Sequence, residues 1–315
     1  MQTTLSIIIP LHNEAKSLLE LHNELTSVAK IHDYQLDIIL VDDGSTDNSW
    51  QIIKQLSTND PHVLGVRLGN NFGKASALSA GIEHAKNELI ITMDADLQDD
   101  PANIPTLVSA INQNNLDIVI GWRKSRQDKQ TKIFVSFVFN YLVNHLTNIK
   151  LHDINCGMKC CRRHIFDEIQ LYGELHRFLP VLAAAKGRKV GETIISHRPR
   201  KHGRSKYGTK RFIKGFIDLF TVKLLVKFGQ RPQHILGTMG ILSLILGLIA
   251  LIITIIQAVP SQQNNTYFII SASLTIIFSL TGTHLITTGF LAEIITAYHG
   301  QKYKPYSITE LTNKN

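Results

Sequence analysis

Three cysteines in 315 residues exclude a disulfide-built scaffold. Cys156, Cys160 and Cys161 fall within six positions, and no second Cys or Cys/His pair stands at zinc-ligand spacing. Reduced thiols in a cytosolic domain are the expectation. The amino terminus, MQTTLSIIIPLHNE, lacks the basic n-region and the long apolar core of a signal peptide. There is no internal repeat and no low-complexity segment. Charge is missing from one long stretch: between Arg231 and Glu293 there is no Asp, Glu, Lys or Arg.

What precedes that stretch is basic. The formal net charge is +8, and Arg198 to Arg231 carries eleven Lys/Arg and one acid, Asp218. A basic segment followed by an uncharged one marks a protein that meets a membrane. Ile235 to Ile256 is a run of 22 nearly all apolar residues. At about 1.5 Å per residue it spans roughly 33 Å, the thickness of a bilayer core. PSQQNNT (260–266) is a polar break before a second apolar run. Membrane-spanning helices are therefore expected over 233–258 and 266–293. The Lys/Arg excess before them places the large amino-terminal part, and after two crossings the tail 294–315, in the cytoplasm. Residues 209–221 put Phe212, Ile213, Phe216, Ile217 and Phe220 on one side, with Lys210, Lys214 and Asp218 opposite. This predicts an interfacial juxtamembrane helix within 209–232, although Lys223 and Lys227 fall on the apolar side.

The amino-terminal 208 residues form the expected catalytic domain. LSIIIP (5–10), LDIILVDD (36–43), HVLGVRL (62–68), ELIITMD (88–94) and LDIVIGW (116–122) read as buried strands. Helical spacing over 14–32 and 45–56 separates the first of them. Strand and helix in alternation predict an α/β fold with a mostly parallel sheet covered on both faces. Ligands bind such sheets beyond the carboxyl ends of the strands. The chemically loaded residues stand where the apolar runs stop: PLHNE, VDDGSTD and DADLQ.

Asp94 and Asp96, one residue apart at a strand end, suit Mg²⁺ or Mn²⁺, with Gln98 a third oxygen at the same alternation. Asp-rich loops also cap helices, and Asp99 and Asp100 better suit that role before Pro101. Asp42 and Asp43 can accept hydrogen bonds from a nucleobase or ribose. Gly44 allows the turn, and Ser45, Thr46 or Asp47 can cap the next helix. The Gly73–Lys74 loop and the helix after it can face phosphate. So can the cationic arm HRPRKHGRSKYG (197–208), which reads equally as a solvated loop near anionic lipid. Arg123, after the fifth strand, is a further phosphate candidate.

As a set these pieces resemble the family 2 glycosyltransferases of the polyprenyl-phosphate type, the group of dolichyl-phosphate mannose synthase and undecaprenyl-phosphate glucosyltransferases. The matching motifs are PLHNE (10–14), VDDGS (41–45), NFGKASALSAG (71–81), DADLQ (94–98), GWR (121–123), DINCG (153–157) and RKHGRSKY (200–207). The resemblance implies a GT-A fold, Rossmann-like, with a two-helix membrane hairpin. It implies that Pro10, Asn13, Glu14, Asp42 and Asp43 hold the base and ribose, with Lys74 and Ala95 also on the donor. Asp94, Asp96 and Gln98 would bind Mg²⁺ or Mn²⁺ at the donor diphosphate. Arg123, Arg200, Ser205 and Lys206 would engage donor and acceptor phosphates, and Asp153 would lie near sugar and acceptor. Two departures stand out. Pro101-Ala102-Asn103 lacks the acidic residue usual there, and Gly157-Met158-Lys159 replaces a usual Gly-Phe-Arg.

The expected reaction is inverting transfer of a sugar from a nucleotide-sugar, UDP-glucose first, to polyprenyl phosphate at the inner face of the cytoplasmic membrane. GDP-mannose and UDP-N-acetylglucosamine are the alternative donors. The partners are then donor, lipid phosphate and bilayer, with no nucleic acid; the spans also leave surface for a homo-oligomer. A processive polysaccharide synthase would carry Gln-x-x-Arg-Trp, and Trp occurs here only at 50 and 122. A non-catalytic membrane-bound nucleotide sensor or scaffold is the reading from another class.

Overall fold

The computed structural model describes residues 3–124, 140–144, 149–169, 171–199, 201, 233–258, 265–299 and 308–311. Its first unit is an eight-stranded sheet. In chain order the strands are β1 (Thr3–Leu11), β2 (Tyr34–Asp42), β3 (Val63–Leu68), β4 (Leu89–Thr92), β5 (Ile118–Trp122), β6 (Lys159–Arg162), β7 (Val190–Ile194) and β8 (Ile308–Leu311). Their order in space is β7-β5-β6-β4-β1-β2-β3-β8.

The apolar runs become the centre of this sheet because both faces are covered. Ile7, Ile8 and Ile9 of β1 are all fully buried, each such side chain contributing about 1.5–3 kcal/mol. Helix α1 (Leu18–His32) buries Leu18, Leu21, Leu25 and Val28, the stripe expected of an amphipathic helix. Helices α2 (Ser49–Asn59), α3 (Lys74–His84) and α4 (Ile104–Gln113) complete the strand–helix alternation.

β1 pairs in parallel with β2 and β4, β2 with β3, and β5 with β7. β6 runs antiparallel between β4 and β5, and β8 antiparallel on the β3 edge. The sheet is thus mostly parallel with two reversals. Helix α1 starts at Leu18 rather than near Glu14. Asn13 has φ +56°, a left-handed conformation that no helix continues through. The next two N–H groups are taken by side chains from another loop: Glu14 N–H donates to Ser49 Oγ and Ala15 N–H to Asp47 Oδ2.

The second unit holds two long helices, Gln233–Ala258 and Asn265–His299. Both are long and apolar enough to cross a membrane, with mean hydropathies of 2.9 and 1.7. They pack on one another, and Ser243 Oγ donates across to Phe278 O at 2.8 Å. Their outward faces are large exposed aliphatic side chains such as Leu248, Ile256, Ile276 and Leu280. The interfacial helix expected within 209–232 lies outside the described residues.

Candidate active site

Five loops meet at the carboxyl ends of β1, β2, β3, β4 and β5. The first two are laced together. Asn13 Oδ1 accepts the Thr46 N–H at 2.8 Å and the Asp47 N–H at 3.3 Å. Asn13 N–H donates to Ser45 Oγ at 2.8 Å. Pro10 sits opposite Val41 in the β1–β2 ladder, just before this seam. The N-cap of α2 is Asn48, not one of the three candidates; Asp47, just before it, accepts the Ser49 N–H at 2.9 Å.

The adjacent acids of β2 have different partners. Asp42 is fully buried; Oδ1 accepts the Ser45 N–H at 2.9 Å, and Oδ2 makes no hydrogen bond but faces Arg67 Nε at 3.7 Å. Asp43 accepts the Phe72 and Gly73 N–H groups, at 2.7 and 2.9 Å. It therefore shapes the third loop. Burial raises its pKa against those two bonds. Gly44, at φ +69°, packs so tightly that a Cβ there would stand 2.6 Å from the Asn70 carbonyl carbon.

Beyond β4 the chain alternates. Asp94, Asp96 and Gln98 are half-exposed, while Ala95, Leu97 and Asp99 are buried. Leu97 turns the chain with φ +61°. Asp94 is ion-paired with Lys74, which therefore points at the acid rather than into open space. Burial disfavours charge on Asp94, but Lys74, Lys159 and Arg123 outweigh it and hold the carboxyl below its ordinary range. Asp96 Oδ1 accepts the Gln98 N–H at 3.1 Å. Among the described residues no three His, Cys, Asp or Glu side chains already surround one point. By its chemistry the donor set suits a hard divalent cation: the half-exposed residues of this alternation, Asp94, Asp96 and Gln98, each carry an oxygen of the kind such ions take.

The acids at 99 and 100 divide the role expected of both. Asp100 caps the following turn, accepting the Ala102 N–H at 2.9 Å. Asp99 does not; it accepts the Asp94 N–H at 3.2 Å from a buried position. Burial and the nearby Asp94 charge push its pKa up to about 6.

The DINCG loop closes the other side. Thr92 Oγ1 donates to Gly157 O at 2.9 Å. A Cβ on Gly157 would lie 2.9 Å from both Asp94 Oδ2 and Asp99 Oδ2. Gly157→Ala is therefore expected to push the β4 acids apart, at about 1–3 kcal/mol. Transfer should fall at least about tenfold with a lowered Tm; activity assays beside thermal melts check this. Arg123 and Asp153 form a bidentate pair, Nε to Oδ2 at 2.7 Å and Nη2 to Oδ1 at 3.1 Å. Asp153 is only 2% exposed.

Residues 196–198 are stitched to the acid turn. His197 bridges Asp99, and Arg198 N–H donates to Gln98 O at 2.9 Å. Arg198 also pairs with Glu24 and Asp100, each at 2.8 Å. The described root of the cationic arm thus lies against the acids. Arg200, Ser205 and Lys206 lie outside the described residues.

Two features escaped sequence reasoning. Lys159 is buried, donates to Cys156 O, and sits close enough to Asp94 to act on its charge. Its signals were a lone lysine inside the apolar run CGMKCC and its place where the resemblance has an arginine, but neither gave it a partner. Burial drives its pKa down. The second is a stack of Trp122 on His152. The three thiols are free and buried, and burial pushes Cys156 and Cys160 up to about 12, so they are unreactive.

A surface hollow of about 480 Å³ between Tyr34 and His62 lies at the opposite end of the sheet and holds none of these acids. The candidate site residues gather at the loop cluster instead.

Comparison with known proteins identifies the family. Dodecaprenyl-phosphate galacturonate synthase of Rhizobium johnstonii is 34% identical over 314 residues, 98% of this chain and 92% of that protein. Undecaprenyl-phosphate 4-deoxy-4-formamido-L-arabinose transferase of Pseudomonas fluorescens is 34% identical, covering 95% of this chain and 85% of that one. Among solved structures, glucosyl-3-phosphoglycerate synthase of Mycobacterium tuberculosis with Mn²⁺, UDP-glucose and phosphoglyceric acid aligns with a TM-score of 0.53. That alignment has 14% identity and covers 71% of this chain and 79% of that one, a likeness of fold. Residues 6–170 match the model of glycosyl transferase family 2. The chain, with its acid-bearing strand ends and GT-A-like sheet, is a glycosyltransferase and belongs to glycosyl transferase family 2.

Proposed function

We propose that this enzyme transfers a sugar from a nucleotide-sugar to polyprenyl phosphate at the membrane surface, with inversion at the anomeric carbon. One observation carries the reading: the β4 acids Asp94 and Asp99 lie within electrostatic reach of Arg123, which is paired with Asp153, in a chain with two membrane-length helices. The names of the relatives, which specify dodecaprenyl and undecaprenyl phosphate, support the acceptor class.

In this reading Pro10, Asn13, Glu14 and Asp42 form the base and ribose side, and Asp43 acts by holding the 72–73 turn. Asp94, Asp96 and Gln98 would hold Mg²⁺ or Mn²⁺; when bound, that cation would neutralise charge on the departing nucleotide diphosphate. Mn²⁺ beside UDP-glucose in the M. tuberculosis structure supports a divalent ion in a site of this fold. An acceptor phosphate oxygen forms the new bond to the anomeric carbon, and the nucleoside diphosphate leaves with the electron pair of the old one. A phosphomonoester is largely dianionic above its second pKa of about 6, so the attack needs no protein base. Asp153 then orients rather than deprotonates.

β8 supports a crossing and re-crossing of the membrane, because the chain after both long helices rejoins the sheet that precedes them. With the positive-inside rule, this supports the reading of a cytoplasmic catalytic domain with its spans in the inner membrane. UDP-glucose is the donor expected from the sequence. The relatives' names add galacturonate and 4-deoxy-4-formamido-L-arabinose to the comparison. The purified full chain, given undecaprenyl phosphate and these UDP-sugars singly, should yield one dominant lipid-linked product by mass spectrometry. Donor binding without any organic-phase product would favour a nucleotide sensor.

A further inference from the structure

The ends of β5 and the 152–153 segment are joined by two neighbouring contacts. One is the Arg123–Asp153 ion pair. The other is Trp122 stacked on His152, ring centroids 4.0 Å apart and planes 13° from parallel. Each residue of the second contact directly precedes one of the first. The imidazole is held by Glu192 and Trp122, and the backbone beneath it is fixed as well. Glu192 of β7 accepts the His152 backbone N–H at 2.8 Å and also holds Nδ1. Asn140 Nδ2 donates to the His152 carbonyl at 2.7 Å. Lys124 Nζ lies 5.7 Å from the Trp122 ring centroid.

This degree of fixation is unusual for an exposed side chain, and the His152 side chain is 62% exposed. A carboxylate only accepts, so the Nδ1 proton belongs to the bond with Glu192. Nε2 is then the nitrogen left to act, and no described residue hydrogen-bonds it. A histidine presented in this way can meet a phosphate in either charge state: the imidazolium donates to a phosphoryl oxygen, and the neutral ring accepts from a P–OH. The charged groups around it are Glu192, Lys124 and the Arg123–Asp153 pair. Glu192 and Asp153 each already have a partner, and Lys124 lies over the Trp122 ring on which the imidazole stacks.

We propose that His152, fixed by Glu192 and Trp122, is a binding residue for a phosphomonoester, the headgroup of the lipid acceptor. The inference deepens the acceptor reading given above and rests on it. It assigns the β5–β7 side of the loop cluster to the acceptor, apart from the β1–β3 side proposed for the base.

The test uses the full chain in nanodiscs. His152→Gln should raise the acceptor KM about tenfold, leave the donor KM unchanged and hold kcat within about twofold. Glu192→Ala should raise the acceptor KM similarly, and the double variant no further, because both act through one ring. Trp122 emission, read in a Trp50→Phe background, should change on adding undecaprenyl phosphate. Inorganic phosphate should give the same change at higher concentration, and His152→Gln should abolish both. An unaltered acceptor KM in His152→Gln with normal melting overturns the proposal. So does an equal rise in both KM values with a lowered Tm, which marks a structural role. An emission change on adding undecaprenol, which lacks phosphate, would mean chain contact and overturn it as well. If the wild type glycosylates no lipid phosphate, the functional reading fails; the inorganic phosphate titration then still decides whether His152 binds phosphate.

Discussion

Asp96→Ala is expected to abolish sugar transfer, by about 10³-fold or more, while the protein still folds and inserts. The size follows from where charge builds up. Departure of a nucleoside diphosphate concentrates negative charge on its oxygens, and removing one preorganised stabiliser of such charge costs about 3–4 kcal/mol. At 1.36 kcal/mol per factor of ten, that is two to three orders of magnitude, more if the cation is lost altogether. The structural cost is small by comparison. Asp96 is half-exposed, and its carboxylate accepts the Gln98 N–H at 3.1 Å. A hydrogen bond to a charged group is worth about 1.5–3 kcal/mol, and solvent at a half-exposed site reduces it. Asp94 is a less clean target, because Lys74 loses its ion-pair partner with it. The measurement is label in the organic phase from labelled donor, set beside a melting curve and a membrane flotation assay. Chelation of the wild type should reproduce the loss, and added Mn²⁺ or Mg²⁺ should restore it. Normal turnover of the variant in chelator would remove the metal from the reaction.

Much of this site could be read from the chain because parallel sheets put their ligands at strand ends. Once IIIP, IILV and LIIT are recognised as buried strands, the residues just beyond them must lie together. The placement of Asn13, Asp42 and Asp94 follows from the apolar pattern alone. What pattern cannot supply is partnership. Nothing local distinguishes Asp42, which folds back on its own turn, from Asp43, which holds the loop at 72–73. Nor does it separate Asp100, a cap, from Asp99, buried under Asp94. These acids are neighbours in sequence but differ in what the rest of the sheet brings to them. β6 was hidden for a related reason. Lys159–Arg162 is a four-residue strand that carries a lysine, and it is held in the sheet by β4 and β5, which flank it in space but not in sequence. β8 joins the sheet from the far end of the chain, after two helices that belong to another unit.

The second large effect is expected from the Arg123–Asp153 pair, and it falls on stability before it falls on chemistry. Asp153 is almost wholly buried, and both of its oxygens are engaged by one guanidinium. Burial opposes charge on Arg123, yet Cys156, Asp153 and Asp99 together raise its pKa above the ordinary value, so it stays charged. Truncating one member leaves the other buried and uncompensated, a cost of about 3–5 kcal/mol. Arg123→Ala and Asp153→Ala should each lower the unfolding free energy by that amount, read from denaturant melts. The double variant should lose clearly less than the sum, since no lone charge remains. Arg123→Lys supplies one point donor in place of a planar fork and should fall between. The same cycle, read as transfer per folded molecule, separates two roles for Asp153. A general base must have a lone pair free to take a proton, and a carboxylate clamped at both oxygens by arginine is poorly suited to that. If Asp153 orients, Arg123→Lys loses activity in step with the weakened clamp. If Asp153 is instead a base, loosening the clamp frees an oxygen, and Arg123→Lys should keep or gain kcat while losing stability.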